Sequence, residues 1–158
     1  MISPQRRVAD FPRPPAIERE SRRITVVLGG VTIADTTQAW RILETTHPPA
    51  YYLPRAHFTP GSLAPGTPRG SFCEWKGRAA YVTLLGGDRV EADAGWTYAA
   101  PNPAYAPLRD HIALYAGRVD ACTVDGETVT PQPGGFYGGW ITSDLIGPFK
   151  GAPGTEWW

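Results

Sequence analysis

The run ITVVLGGVTIAD, from Ile24 to Asp35, decides the fold that this sequence predicts. Two β-prone segments flank the Gly29-Gly30 pair, and a Gly-Gly pair between such segments is typical of a tight β-hairpin. The same pattern returns within residues 82–93 and again within residues 122–129, each time with a Gly-containing turn in the middle. Because a hairpin joins neighbouring antiparallel strands, three hairpins predict antiparallel sheets.

The segments between the hairpins also favour extended chain. Residues 40–44 could end a short helix, but the threonines on both sides favour a strand, since β-branched residues prefer the pleated conformation. Residues 50–53 are predicted as a short strand, and the Pro- and Gly-rich residues 59–71 as a loop. The chain has 18 Gly, 17 Pro and 11% aromatic residues, a composition that favours many short strands and turns over disorder. We therefore predict a mainly β fold with little helix.

Length and charge exclude several classes of protein. The 158 residues suit one domain, and 15 basic against 15 acidic residues give no net charge, so no nucleic-acid partner is expected. No apolar run approaches the roughly 18 residues of a membrane span, and the N-terminus lacks an apolar signal core, so no membrane partner is expected. Two cysteines suit a reducing cytoplasm, although one disulfide between Cys73 and Cys122 stays open. The sequence predicts a soluble, cytoplasmic protein.

The two ends of the chain carry separate predictions. Residues 1–22 are rich in Pro and Arg without hydrophobic periodicity, which predicts a flexible arm or a partner-binding arm ahead of a single mainly β domain over residues 23–158. At the other end, Phe149, Trp157 and Trp158 are expected to pack onto the domain or onto a neighbouring copy, because exposed aromatic rings are costly in water. A patch built from these rings would favour a homodimer.

The run FCEWKGRAAY, from Phe72 to Tyr81, brings the most varied chemistry together: a thiol, a carboxylate, an indole, an ammonium and a phenol. If residues 73–76 are extended, Cys73 and Trp75 point to one side of the strand, and Glu74 and Lys76 point to the other. The run leads into an apolar, β-prone segment. We therefore expect a site at the mouth of a strand.

The candidate ligand-binding residues are Glu44, Tyr52, Trp75, Lys76 and Tyr81. The rings of Tyr52 and Trp75 would form stacking walls, Lys76 would contact an anionic group, and Glu44 and Tyr81 would be polar anchors. These residues would lie in a cleft between two sheets and take a small polar or anionic ligand. Catalytic residues cannot be assigned from the sequence. The alternative role for Glu44 is a structural ion pair, and most tryptophans would lie in the core.

No metal site or cofactor is expected. His47, His57 and His111 show no metal-ligand spacing, and Cys73 is predicted as a buried structural cysteine more than as a reactive thiol. The Gly-rich residues 134–139 lack the arrangement of a phosphate-binding loop and instead predict a tight turn with close aromatic packing.

A set of motifs extends over roughly residues 24–129. They are the Gly-Gly hairpin, Leu43-Glu44-Thr45 with His47-Pro48-Pro49 and Tyr51-Tyr52-Leu53-Pro54, Cys73-x-Trp75-Lys76-Gly77 with Tyr81, Trp96 with Tyr98, Tyr115-x-Gly117-Arg118-Val119, and Val124-Asp125-Gly126. In these motifs the chain resembles a bacterial family known as domain of unknown function 427, which is sometimes filed under a nucleotidyltransferase name. The resemblance implies a tent-like β fold, in which two antiparallel sheets meet at an angle.

The resemblance implies little about activity. Many tent-like domains hold zinc through two pairs of cysteines, and this sequence has no such pairs. Nucleotidyltransferase chemistry needs a Gly-Ser element and spaced carboxylates, but Gly29-Gly30 is followed by Val31. The leading hypothesis is a small-molecule-binding domain, with or without catalysis. The alternative is a structural or protein-interaction module that forms a homo-oligomer, and a nucleotidyltransferase-like activity is a weaker third hypothesis.

Overall fold

The computed structural model describes residues 5–68, 70–73, 75–133, 137–152 and 154–155. This part of the chain forms sixteen β-strands and four short 3-10 segments, over Val8–Asp10, Arg55–His57, Pro103–Leu108 and Ala116–Arg118. None of these helical segments is long and apolar enough to cross a membrane. The strands are β1 (Arg6–Arg7), β2 (Ala16–Glu20), β3 (Ile24–Leu28), β4 (Val31–Thr36), β5 (Ala39–Leu43), β6 (Ala50–Pro54), β7 (Leu63–Pro65), β8 (Ser71–Cys73), β9 (Gly77–Gly86), β10 (Arg89–Thr97), β11 (His111–Leu114), β12 (Ala121–Val124), β13 (Glu127–Thr128), β14 (Thr130–Pro131), β15 (Trp140–Ile141) and β16 (Leu145–Ile146).

Two sheets dominate the architecture. The large sheet has eight strands in the order β2-β5-β6-β11-β10-β9-β7, and β8 also pairs with β9. The small sheet has four strands in the order β13-β12-β3-β4. Neighbouring strands in both sheets are antiparallel, whereas the short pair β1 and β16 is parallel. The predicted fold class, mainly β with antiparallel sheets and little helix, is confirmed.

All three predicted hairpins are present. They are the pairs β3–β4, β9–β10 and β12–β13. Their turns contain residues in the left-handed region, with φ of 61° and 76° at Gly29 and Gly30 and 47° and 82° at Asp125 and Gly126. Tight hairpin turns require this conformation, and Gly and Asp adopt it at least cost. The Gly-containing turns in the sequence therefore predicted the positions of the three hairpins correctly. The strands predicted at residues 40–44 and 50–53 are likewise present, as β5 (Ala39–Leu43) and β6 (Ala50–Pro54).

An apolar core fills the space between the two sheets. Strand β3 contributes Ile24, Val26 and Leu28, and β6 contributes Tyr51 and Leu53, all fully buried. The indole of Trp140 completes this inter-sheet core by stacking on the ring of Tyr51, with 4.9 Å between ring centroids. Because alternate residues of a strand face opposite sides, Tyr52 points away from this core.

The outer face of the large sheet is also covered. We name its buried residues the tyrosine cluster; they are Ile42, Tyr52, Ala79, Tyr98, Tyr105, Leu108 and Ala113. The 3-10 segment Pro103–Leu108 contributes two of them and is fixed by a hydrogen bond of 2.6 Å from the Tyr105 hydroxyl to the Pro15 carbonyl. The central strands are thus buried on both faces.

The N-terminal segment differs from the expected flexible arm. Its residues Ala16–Glu20 form β2, which pairs with all of β5, and Val8 is fully buried. The composition of residues 1–22 indicated a solvated segment because Pro and Arg are common there. In the folded chain, the free edge of β5 supplies backbone hydrogen-bond partners that order this segment. The composition of the segment does not reveal this edge.

The expected loop over residues 59–71 contains a further strand. Residues Leu63–Pro65 form β7 and pair with β9. A proline at a strand end on a sheet edge removes no backbone hydrogen bond that the sheet needs. The abundance of Pro and Gly therefore marked an edge strand within this segment, and the prediction of an unbroken loop was wrong.

Two hairpin turns are in backbone contact with each other. A Cβ atom added to Gly86 would lie 2.4 Å from the Leu28 carbonyl oxygen, and one added to Gly29 would lie 2.0 Å from the Gly86 carbonyl oxygen. Distances of this kind are far below van der Waals contact. The glycines therefore allow the small sheet to lie directly against the β9–β10 turn.

We predict that Gly86→Ala destabilises the fold by about 1–3 kcal/mol, because the added methyl group overpacks a backbone contact that cannot rotate away. Gly117→Ala is the matched control, since its Cβ would meet only Pro131 at an ordinary 3.5 Å. Urea unfolding of both variants measures the effect. Equal stabilities would contradict this role of Gly86.

Candidate functional site

The Phe72–Tyr81 run forms a hairpin and not a continuous strand. Strand β8 ends at Cys73, the chain turns at Trp75-Lys76, and β9 begins at Gly77 with a φ of 110°. Only Gly adopts this backbone conformation readily. The expected placement of the side chains of residues 73–76 on alternate faces of one strand is therefore wrong. Glu74 lies outside the described residues.

The turn brings three side chains of the run to the outer face of the large sheet. Cys73 and Trp75 pack against the tyrosine cluster, and the Lys76 ammonium lies 5.8 Å from the centroid of the Tyr98 ring. Asn102 fixes this arrangement. Its backbone N–H donates to the Lys76 carbonyl and its side-chain amide donates to the Trp75 carbonyl, both at 2.9 Å.

Tyr52 is fully buried within the tyrosine cluster. Its hydroxyl accepts a hydrogen bond of 3.1 Å from the Trp96 indole. Burial raises the pKa of Tyr52, and burial also raises that of Tyr98, so both phenols stay neutral. A ring without exposed surface cannot stack on a ligand. Tyr52 therefore supports the site by packing beneath it.

Glu44 follows β5 and is partly exposed. Its carboxylate lies 3.9 Å from His47 Nδ1 and 4.0 Å from the Arg13 guanidinium. Burial lowers the pKa of His47, so this imidazole is neutral at pH 7 and the contact with Glu44 is not a full ion pair. Glu44 is two residues beyond Ile42 of the tyrosine cluster, and its charge makes a minor contribution to the raised pKa of Tyr52, which burial dominates.

Tyr81 lies apart from the other four candidate residues. In the register of the large sheet, Trp96 is opposite Ala113 on one side and opposite Tyr81 on the other. The small Ala113 side chain leaves the space through which Trp96 reaches Tyr52. The structure therefore brings Glu44, Tyr52, Trp75 and Lys76 together, whereas Trp96 separates them from Tyr81.

Tyr81 instead lines a cavity of about 520 Å³, which we name the Tyr81 cavity. Its walls come from β9, β10, the end of β11, the 3-10 segment Ala116–Arg118 and the segments around β14 and β15. The described residues that line it are Tyr81, Asp93, Tyr115, Ala116, Gly117, Arg118, Pro131, Gln132, Tyr137, Gly138 and Gly139. Sequence reasoning singled out only Tyr81 for a site, because the other residues come from distant parts of the chain.

A β-bulge in β10 shapes one wall of this cavity. The register between β9 and β10 shifts between Glu91 and Gly95, and Asp93 within this interval has a φ of 56°. The Asp93 carboxylate accepts hydrogen bonds from the Thr67 backbone N–H at 2.7 Å and from the Thr67 hydroxyl. A bulge redirects side chains, and strained residues of this kind cluster at functional sites.

The Gly-rich segment forms the opposite wall. A Cβ atom on Gly138 would lie 2.1 Å from the Trp96 ring, and one on Gly139 would lie 2.4 Å from the Pro48 carbonyl oxygen. The predicted close aromatic packing is therefore confirmed for Gly138, whereas residues 134–136 lie outside the described chain. Next to them, the Tyr137 ring meets the His47 ring edge-on, with 5.2 Å between centroids.

Sequence reasoning missed a buried cluster of charges around the Tyr51 hydroxyl. Arg41 and Arg22 both approach this hydroxyl, at 3.4 and 3.2 Å. Arg41 also donates to Glu18 at 2.6 Å, and Arg22 lies 2.8 Å from Glu20. Each cation is therefore matched by a carboxylate, as buried charges require. The alternation of acids and an arginine along residues 18–20 was the available signal, but it needed the pairing of β2 with β5.

Asp144 belongs to the same cluster and links it to the C-terminal part of the chain. Its carboxylate lies 3.4 Å from Arg22 and accepts a hydrogen bond from the Thr142 hydroxyl. Burial alone raises the pKa of Asp144, but the Thr142 hydrogen bond and the charges of Arg22 and Arg41 outweigh burial, so the pKa lies below its ordinary value. A second cavity of about 310 Å³ lies beside this cluster.

Both cysteines are free thiols. Cys122 lies in the inter-sheet core, where burial strongly raises the pKa of its thiol, and Cys73 is partly buried. Among the residues that the structure describes, no three His, Cys, Asp or Glu side chains are grouped to hold a metal ion. Near the C-terminus, Phe149 packs against the apolar cluster of Val8, Phe11, Leu43 and Leu145, and Trp157 and Trp158 lie outside the described residues.

The fold and this cavity define a mainly β domain of two antiparallel sheets whose large sheet carries a tyrosine-lined cavity. A family model described as a domain of unknown function (DUF427) matches residues 16–125, and the chain belongs to this family. No curated protein matches the sequence. The matched region begins at the first residue of β2 and contains Tyr81, Asp93 and Arg118, whereas Tyr137 and its glycine neighbours lie beyond it.

We predict that the Asp144 cluster makes the fold sensitive to acid. Because the pKa of Asp144 is lower in the folded chain, its stabilisation is complete above the ordinary value near 3.8 and is lost as pH falls through the folded value. Asp144→Asn should cost roughly 3 kcal/mol at pH 7, since it leaves a buried arginine less well matched. Below pH 5, the free energy of unfolding of this variant should also fall less steeply with pH than that of the wild type.

Urea unfolding between pH 3 and pH 7 checks this prediction. Asp35→Asn is the control, because Asp35 pairs with Arg23 at 2.7 Å on an exposed surface, where solvent weakens the interaction. An Asp144→Asn variant with wild-type pH dependence would contradict the assigned role of Asp144.

Proposed function

We propose that this DUF427 domain binds a small molecule in the Tyr81 cavity. The observation that supports the proposal best is the cavity itself, whose volume of about 520 Å³ lies within the range of roughly 300–1,000 Å³ that is typical of ligand pockets. Its lining combines aromatic rings with a few polar groups. Such a combination gives a ligand apolar contact area together with orienting hydrogen bonds.

The cavity has rigid walls on several sides. Tyr81 is on β9 and Tyr115 follows β11, the two strands that flank β10 in the large sheet, and the Tyr115 ring packs against Trp96 with 4.9 Å between centroids. Gln132 accepts a hydrogen bond of 3.0 Å from the Gly139 N–H and donates one of 2.8 Å to the Lys150 carbonyl. Side chains held in this way bind a ligand without a further loss of conformational entropy.

The region around Lys76 remains a second candidate, as the sequence predicted. Lys76 is partly buried beside Tyr98, and Glu44 is close to the same cluster. The full burial of Tyr52 favours the Tyr81 cavity over this region as the main binding site. The alternative of a structural or interaction module stays a prediction, as does a homodimer.

A thermal-shift screen against metabolites, nucleotides and divalent metals tests the proposal. We expect at least one compound to raise the melting temperature, because a ligand at 100 times its Kd stabilises the native state by about 2.7 kcal/mol. Two variants that introduce the same side chain locate the site. Gly117→Met fills the rim of the Tyr81 cavity, whereas Lys76→Met removes the ammonium beside the tyrosine cluster.

The shift should be lost in Gly117→Met and kept in Lys76→Met. Loss in Lys76→Met alone would place the site at the tyrosine cluster and contradict the proposed location. No shift with any compound would contradict small-molecule binding and favour the interaction module, which mass measurement in solution would then examine.

A further inference from the structure

We infer that the Tyr81 cavity takes an organic cation, a ligand with an amine or quaternary ammonium group. The inference rests on the proposed function, because it names the ligand class for the same cavity. It differs from the polar or anionic ligand that the sequence suggested for Lys76. Three observations support it: a cavity-lining carboxylate whose hydrogen-bond donors are neutral, an arginine that is hydrogen-bonded to a different carboxylate, and three phenol rings.

The first observation concerns Asp93. Its carboxylate lines the cavity and accepts hydrogen bonds from the Thr67 N–H and hydroxyl, both of which are neutral donors. No ion pair joins Asp93 to a lysine or arginine within the described residues. The hydrogen bonds from Thr67, with a smaller contribution from the charge of Arg118, lower the pKa of Asp93, so it is ionised at neutral pH. A carboxylate whose hydrogen-bond donors are both neutral therefore lines the cavity.

The second observation concerns Arg118, the other charged residue among the described residues of the lining. Its Nε–H donates to Glu91 at 3.0 Å and its Nη2–H donates to the Ala92 carbonyl at 2.8 Å. Glu91 and Asp120 also accept hydrogen bonds from Arg89. Two guanidinium groups thus face two carboxylates in one surface network. The direct partner of Arg118 is therefore Glu91, and its charge acts on Asp93 without a hydrogen bond between them.

The third observation concerns the aromatic lining. Tyr81, Tyr115 and Tyr137 contribute three phenol rings to the cavity. The faces of such rings carry partial negative charge and attract ammonium groups, and quaternary ammonium ligands are bound in this way in aromatic cages. Lys150 already lies 5.8 Å from the centroid of the Tyr137 ring, although it does not line the cavity. In this contact an ammonium group lies within cation–π distance of the Tyr137 ring.

Three probes of similar shape but different charge test the ligand class. Choline carries a trimethylammonium group, 3,3-dimethylbutanol carries a neutral tert-butyl group of the same shape, and 3,3-dimethylbutyrate carries a negative charge. Isothermal titration of the full chain should give choline a Kd about 10-fold lower than that of the neutral probe, as expected for a cation over aromatic rings beside a carboxylate. The anionic probe should bind most weakly.

Two variants test the assigned residues. Asp93→Asn keeps a side chain that tolerates positive φ and can still bond with Thr67, so it should fold and lose the preference for choline. Arg118→Met should keep that preference. Equal affinity for choline and the neutral probe in the wild type, or a preference that survives Asp93→Asn, would overturn the inference.

The screen described above separates this inference from the proposed function. A compound whose thermal shift is lost in Gly117→Met, together with no preference for choline, would leave the cavity as a binding site and overturn the cationic ligand class. No binding in the screen and none by the three probes would overturn both.

Discussion

Strand β6 runs Ala-Tyr-Tyr-Leu-Pro, and its side chains alternate between two buried faces of the large sheet. Tyr51 and Leu53 enter the core between the sheets, and Tyr52 enters the tyrosine cluster on the opposite face. A strand that is buried on both sides needs apolar or aromatic residues at every position, and each aromatic hydroxyl then needs a partner. In the described chain, every buried side-chain nitrogen or oxygen has such a hydrogen bond.

The two hydroxyls of β6 are satisfied in different ways, and the difference organises the rest of the molecule. On the inner side, the Tyr51 hydroxyl is held by Arg22 and Arg41, whose charges require the carboxylates of β2 and Asp144. This network joins the N-terminal strand to the C-terminal part of the chain. On the outer side, the Tyr52 hydroxyl accepts from the neutral Trp96 indole, which needs no charge nearby.

Trp96 has the central position on the outer face. It contacts the Tyr52 and Tyr115 rings, and Gly138 lies close against its ring. It therefore separates the tyrosine cluster from the Tyr81 cavity while forming part of the support for both. The family region supplies Tyr81, Asp93 and Arg118, and residues beyond that region supply the Tyr137 side of the cavity. The cavity of this chain is thus lined both by the family region, residues 16–125, and by residues that follow it.

The sequence by itself determined the fold class, the three hairpins and the alternation of Tyr51 and Tyr52, because turn conformation and strand periodicity are local properties. Tertiary structure alone decided that β2 pairs with β5, that the turn at Trp75-Lys76 places both side chains beside the tyrosine cluster, and that Tyr81 lines a different cavity. These outcomes depend on which strands become neighbours. Strand neighbours are selected by the packing of distant segments, and no short stretch of sequence contains that information.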